Sequence, residues 1–224
     1  MFTGPFDVSI VARAQKKHAV KIHIVNLRDF SSDAYKSVDD HPYGGGTGMI
    51  LRVDVMDRAL TATRQRLPAI SAHTILLDPP GKTYKQQDAR RLSAFEHIIL
   101  ICGHYEGFDE RIRTLVDEEI SIGDYVVTGG ELPAMILTDS IVRLLPGVLA
   151  KDDATTVESF GEGGLEYPQY TRPETYNNLS VPDVLLSGNH KIINDWRMTQ
   201  RKLRTKTRRP DLLTAQTDSV SSDR

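Results

Sequence analysis

Two periods of apolar residues run along the chain, and they predict most of its elements. Thr74-Ile75-Leu76-Leu77 and Ile98-Ile99-Leu100-Ile101-Cys102 are unbroken apolar runs. Runs of this length predict strands covered on both faces. Lys21-Ile22-His23-Ile24-Val25-Asn26-Leu27 alternates, which predicts a further strand. Tyr125-Val126-Val127 predicts a short buried strand, and Glu119-Ile120-Ser121-Ile122 leads into it. Helical spacing marks 7–19, where Val8, Val11, Ala12 and Ala19 share a side, and 54–66, which ends near Pro68. The same period predicts helices over 86–94, 107–116, from Pro133 to Leu145 before Pro146-Gly147, and over 189–202. Strands alternating with helices predict an α/β fold around a parallel sheet.

The segments between these elements carry the candidate chemistry. In a parallel sheet, ligands sit beyond the carboxyl ends of the strands. Three loops leave such ends: Asp78-Pro79-Pro80-Gly81, Gly103 to Gly107, and Gly123 to Gly130. All are rich in Gly or Pro, residues that allow sharp turns and close backbone approach. Their convergence predicts a single pocket lined by backbone. Gly103-His104-Tyr105-Glu106-Gly107 also precedes a predicted helix, whose first amides suit polar or anionic groups. Asp109 and Glu110 fit that first turn as dipole partners. His104 reads more readily as an exposed polar loop residue than as a general base. His41-Pro42-Tyr43-Gly44-Gly45-Gly46-Thr47-Gly48 lacks the Lys-Ser/Thr ending of a phosphate loop and the Gly-x-Gly-x-x-Gly spacing. A flexible hairpin and a backbone-lined binding loop fit it equally.

Composition adds a division of the chain. With 224 residues, 39% hydrophobic and 26% charged, it suits one large domain or two modest ones. The net charge of −2 hides an uneven distribution. Ser187 to Pro210 carries eight Lys or Arg and one Asp, about +7, which suits a polyanion. Within it, Trp196 with Arg197, Arg201, Lys202 and Arg204 suits phosphate contact, although Trp196 fits a small core better than a stacking role. Residues 1–150 are expected to form one domain, 151–170 a linker and 171–213 a smaller basic domain, with 214–224 a disordered tail. Glu158, Glu162 and Glu166 lie in the linker. The lone Cys102 cannot form an internal disulfide and fits a buried strand in a reducing cytoplasm. No run of 18 apolar residues and no signal-peptide pattern are present, so a cytoplasmic protein is expected.

Five blocks occur together and in order: His41 to Gly46, Cys102 to Gly107, Ser121 to Met135, Tyr170-Thr171-Arg172-Pro173-Glu174 and Leu185-Leu186-Ser187-Gly188-Asn189-His190. Over about residues 1–213 the chain resembles the bacterial tRNA (guanine-N1)-methyltransferase family, TrmD. The resemblance implies a SPOUT-class parallel α/β fold with a deep trefoil knot and a small, mainly helical C-terminal domain that binds tRNA. It implies a homodimer, S-adenosyl-L-methionine as methyl donor, and N1-methylguanine at tRNA position 37 as product. The donor site would be Leu77, Pro79, Gly103, Tyr105, Glu106, Gly107, Ile122, Gly123, Asp124, Tyr125, Val126, Val127, Gly129, Gly130 and Pro133. The general base would be Glu166, where the family commonly has Asp. Lys151 would steady charge on guanine O6, where the family often has Arg; Lys lacks the planar fork of Arg. A Mg²⁺ requirement is compatible with the family, but no metal motif is visible. The family's first strand and Phe-Pro-Glu segment precede the position of Met1-Phe2, so this chain is expected to lack that strand. A catalytically silent RNA-binding dimer, and a knotted methyltransferase for another RNA, are the competing readings.

Overall fold

A computed structural model describes residues 1–150, 155, 158–161 and 163–213. The chain divides into two compact units, Met1–Ala150 and Lys151–Arg224. In the first, the order is α1 (Ser9–Lys16), β1 (Asp39–Asp40), β2 (Ile50–Leu51), α2 (Val53–Arg64), β3 (His73–Thr83), α3 (Gln86–Leu92), β4 (Ile98–Cys102), β5 (Glu118–Ser121) and α4 (Glu131–Val142).

β3 is the centre of a three-stranded sheet, with β4 and β5 on either side and both parallel to it. Alternation along β3 explains why its apolar run is unbroken. Leu76 faces one layer with Ile101, Val55, Met56, Leu60 and Ile112. Ile75 and Leu77 face the other, with Ile120, Leu92, Leu137 and Ile141. Ile75 and Leu76 are fully buried, and each such side chain contributes about 1.5–3 kcal/mol. α2 presents Val55, Met56, Ala59 and Leu60 as one buried stripe. A third, smaller cluster joins Ala14 of α1 to Val142 and Val148.

Four expectations are corrected. Lys21–Leu27 is not a strand: it has no ladder partner among the described residues, Ile24 is exposed, and the chain enters a 3₁₀ turn over Leu27–Phe30 capped by Asn26. Alternation suits a strand, but a strand also needs a neighbour. The Asp78-Pro79-Pro80-Gly81 stop does not end β3, which continues to Thr83. Leu77 and Lys82 both stand opposite Ile120, so the four residues form an excursion between two pairings with β5. The helix expected over 107–116 is a 3₁₀ turn, Glu110–Leu115, capped by Asp109. Tyr125–Val127 is a loop rather than a buried strand, with Val126 86% exposed.

The second unit contains a two-stranded hairpin of β6 (Thr175–Tyr176) and β7 (Leu179–Ser180), then α5 (Asp183–Leu186) and α6 (His190–Arg208). Asn189 caps α6 through the amides of Lys191 and Ile192. α6 extends the helix expected over 189–202 and absorbs most of the basic strip. Ile193 is its buried apolar residue, with Arg201 and Thr205 also buried. The segment 163–166 lies against this helix through Leu165, whose amide donates to Thr205 Oγ1 at 2.9 Å. Lys151 and the 214–224 tail lie outside the described residues.

Candidate active site

The parallel pairing brings the ends of three strand loops to one edge of the first unit. Leu77 and Cys102 are paired at the carboxyl ends of their arms of β3 and β4. The chain then meets α4: the Gly130 amide donates to Gly103 carbonyl oxygen at 2.8 Å. A Cβ on Gly130 would stand 2.5 Å from Cys102 Cα and from Gly103 N. Only glycine lets the α4 entrance touch the backbone of β4. Gly81 meets β5 in the same way, with a Cβ there only 2.5 Å from the Ile120 nitrogen. Thus Leu77, Gly103, Gly129 and Gly130 lie together, and the buried Pro133 follows in the first turn of α4.

The excursion 78–81 is fixed by charge. Arg113 spans Asp78 at 2.7 Å and Glu110 at 2.9 Å, and also pairs with Glu119. Its hydrogen bonds to these acids raise its pKa against the cost of its burial, so it is a permanent cation. Pro79 is exposed at the tip. No sequence spacing announces Arg113, which stands 35 residues from Asp78.

The other two loops are shaped by backbone in unusual regions. Gly123 has φ +141°, and its carbonyl accepts from the Tyr125 amide at 2.9 Å. Its amide donates to Ser121 Oγ at 3.2 Å. The Tyr125 hydroxyl returns to the Ile122 carbonyl oxygen at 3.4 Å. Asp124, Tyr125 and Val126 are exposed, and Val127 is half-buried. Gly107 has φ +125° and Tyr105 φ +62°. Tyr105 packs edge-on against His104, and its hydroxyl accepts from Arg28 at 3.5 Å.

Polar atoms converge on Gly129. A Cβ there would meet Glu131 Oε2 at 2.4 Å, His104 Nδ1 at 3.0 Å and the Gly103 carbonyl oxygen at 3.2 Å. Glu131 Oε2 is buried and has no hydrogen-bond partner among the described residues. A buried acceptor without a donor favours a ligand that brings one. Glu131 also bears on Cys102: burial first, then that carboxylate, pushes the thiol up to about 12. Cys102 is therefore a neutral wall residue, not a nucleophile.

Glu166 belongs to the second unit. Its amide donates to Ser159 Oγ at 3.0 Å, and the Gln169 side-chain amide donates to Glu166 Oε1. Arg197 of α6 lies over the ring of Tyr167, the residue after Glu166, at 4.9 Å, with a buried Nε that lacks a hydrogen-bond partner among the described residues. Tyr170, Arg172, Leu185 and Arg197 line an open cavity of about 590 Å³ within this unit. Trp196 is half-buried on α6. Lys151, the other expected catalytic residue, lies outside the described residues.

A parallel α/β unit with glycine-rich loops meeting at its strand ends, followed by a unit built on a basic helix, defines an α/β chain of two units. The tRNA (Guanine-1)-methyltransferase TrmD family matches residues 1–215. The chain is 50% identical over 213 residues to the tRNA (guanine-N(1)-)-methyltransferase of Dictyoglomus turgidum, covering 95% of this chain and 85% of that protein. It is 52% identical over 217 residues to the enzyme of the same name from Bacillus cereus strain B4264, covering 95% and 87%. The chain belongs to the TrmD family. Among the described residues no helix is long and apolar enough to cross a membrane, and no group of three His, Cys, Asp or Glu is placed to hold a metal ion.

Proposed function

We propose that this chain transfers a methyl group from S-adenosyl-L-methionine to N1 of guanine at position 37 of tRNA. Family membership over residues 1–215 carries this reading, and the pocket's chemistry supports it. A ligand with many donors and acceptors suits a rim of backbone amides and carbonyls. The unpartnered Glu131 Oε2 beside Gly129 supports a ligand bringing an amino hydrogen. When bound, the donor supplies an electrophilic methyl group on a sulfonium sulfur. Leu77, Pro79, Gly103, Glu106, Gly107, Ile122, Gly123 and Gly130 would hold it.

Guanine N1 carries a proton and is a poor nucleophile while it does. Glu166 takes that proton on its carboxylate as N1 forms the new bond, and the electron pair of the broken carbon–sulfur bond stays on sulfur. Lys151 steadies the charge that grows on guanine O6. Neither side chain bonds to the methyl group, so catalysis rests on positioning and proton removal. The knot is part of this reading. It is supported by membership of the TrmD family over residues 1–215. A homodimer is supported by the exposed apolar residues Val126, Leu132 and Ile136 beside the pocket. α6, with its basic residues, is the tRNA-binding element.

The test is transfer of labelled methyl to unmodified tRNA, with the product nucleoside identified by mass spectrometry. N1-methylguanosine is expected, and replacing G37 abolishes it. Glu166→Gln is expected to lower kcat about 10²–10⁴-fold with donor affinity kept. Unchanged turnover in Glu166→Gln removes Glu166 as the base, and undiminished transfer without G37 removes the substrate assignment. An EDTA arm in the same assay reads out any Mg²⁺ requirement.

A further inference from the structure

The glycine-rich segment 41–48 has no part in the reading above, yet its end is bonded to the donor loop. Three backbone hydrogen bonds join residues 49–51 to 106–109. Glu106 N–H donates to Met49 O at 3.0 Å, Leu51 N–H to Gly107 O at 2.9 Å, and Asp109 N–H to Leu51 O at 3.0 Å. Leu51 forms a parallel bridge with Phe108. A segment more than fifty positions away in sequence is thereby laid along the donor loop as a strap.

Gly48 stands where this strap crosses Glu106. Its φ is +82°, and a Cβ there would lie 2.3 Å from Glu106 Cγ, 2.9 Å from Oε1 and 3.0 Å from Cδ. The Glu106 side chain thus occupies the space that any other residue at 48 would fill. Glu106 is solvent-exposed. Among the described residues no hydrogen bond or ion pair holds its carboxylate. An exposed glutamate of this kind ordinarily keeps its rotamer freedom. The other loop glycines differ. Gly44 and Gly45 have similar φ values, +86° and +80°, but nothing lies within 4 Å of a Cβ on either. Their left-handed backbone serves the turn alone. Gly48 serves the turn and the side chain beside it.

We propose that Gly48 is a positioning residue for Glu106: by lacking a side chain, it seats the Glu106 carboxylate at the edge of the methyl-donor pocket. A carboxylate with no protein cation against it suits an ammonium or amino group of the ligand. This rests on the reading of 103–107 as part of the donor site.

The experiment is a double-mutant cycle read by calorimetric titration of S-adenosyl-L-methionine into the full chain, with Tm measured throughout. Gly48→Ala is expected to weaken donor binding about tenfold, the scale of misplacing one charged hydrogen-bonding group. Gly44→Ala, with the same backbone strain and no neighbour, is expected to stay within about twofold of the parent. In a Glu106→Ala background, adding Gly48→Ala is expected to change affinity by less than about twofold, because the group it displaces is gone. An equal loss from Gly48→Ala in both backgrounds, or from Gly44→Ala, overturns the proposal in favour of loop strain. Gly48→Asn carries the same Cβ on a residue that tolerates left-handed backbone, and replaces Gly48→Ala if that variant does not fold. Absence of binding by the unmodified chain refutes the donor reading. A crystal structure of Gly48→Ala decides the positioning role separately: Glu106 in its original rotamer overturns it, and a displaced carboxylate supports it.

Discussion

The two units solve different problems with different materials. The first buries two apolar layers against one parallel sheet and pins its strand loops with partly buried ions. The second buries one apolar side chain of α6, Ile193, and exposes Tyr176, Leu179, Leu186, Ile192, Met198 and Leu203. Its ions also differ. Arg209 and Asp211 pair on the surface, where such pairs contribute little. In the first unit Arg91 and His73 converge on a Glu118 side chain that is 19% exposed. On the proposed function the difference has a reason: presenting a small ligand to a reacting atom needs a fixed backbone, whereas gripping a polyanion needs charge on a surface, which a single helix can supply.

The contrast breaks most readily at Gly130. There the first unit relies on backbone touching backbone, and nothing flexible can move aside. Gly130→Ala is expected to cost about 3 kcal/mol, the upper end of overpacking. At about 2–4 °C per kcal/mol for a chain of this size, the melting temperature should fall by roughly 6–12 °C. Donor binding should weaken with it. Calorimetry checks both, and an unchanged melting temperature would mean that α4 does not depend on this contact.

Glu118 sharpens the same comparison through pH. Burial opposes its charged form, but hydrogen bonds from Arg91 and His73 outweigh that and hold the carboxyl below its ordinary range. A carboxyl depressed in the folded state adds stability above its unfolded pKa of about 4.3, and that stability is lost as pH falls through the lower folded value. Glu118→Gln is expected to cost about 2 kcal/mol at pH 7. The gap between parent and variant should close as the pH drops below about 4. Asp211→Asn, on the surface pair of the second unit, should leave thermal stability unmoved at every pH. A Glu118→Gln cost that persists into acid would show that the side chain acts by packing and not by charge.

How much of this was legible depended on whether the cause was local. Ile98–Cys102 and Thr74–Leu77 read correctly because a strand covered on both faces must be apolar at every position. The contact between two of the three loops was legible too: parallel strands deliver their carboxyl ends to one edge, and the Gly130–Gly103 hydrogen bond joins the loops after β4 and β5. Tyr125–Val127 read wrongly because apolarity marks burial of any kind, including a surface that awaits a ligand or partner. The excursion through Pro79 and Pro80 was hidden because β5, which Lys82 and Thr83 rejoin, lies nearly forty residues downstream. Arg113 and the strap at Gly48 were invisible for the same reason: each depends on distant neighbours that only the fold supplies. Glu166 came from family resemblance alone, since a carboxylate in a glycine-rich stretch has no pattern of its own.

The smallest expected effect tests the second unit by itself. Arg197 is partly sequestered over Tyr167, with its Nε buried and without a hydrogen-bond partner among the described residues. If this unit were a structural appendage, truncating Arg197 would act on stability, because the guanidinium would matter for its packing. If it is a polyanion grip, the cost appears in RNA binding. Arg197→Ala is therefore expected to weaken tRNA binding about fivefold to tenfold, the scale of one lost phosphate or stacking contact. It should also make the dependence of log Kd on log salt shallower by about one, while donor affinity stays at the parental value. Arg197→Lys should recover the salt slope but only part of the affinity, because an ammonium keeps the charge and loses the flat guanidinium that lies on the ring. Filter binding across a salt series separates these outcomes. A fall in melting temperature with an unchanged salt slope would make Arg197 a packing residue and move the polyanion grip further along α6.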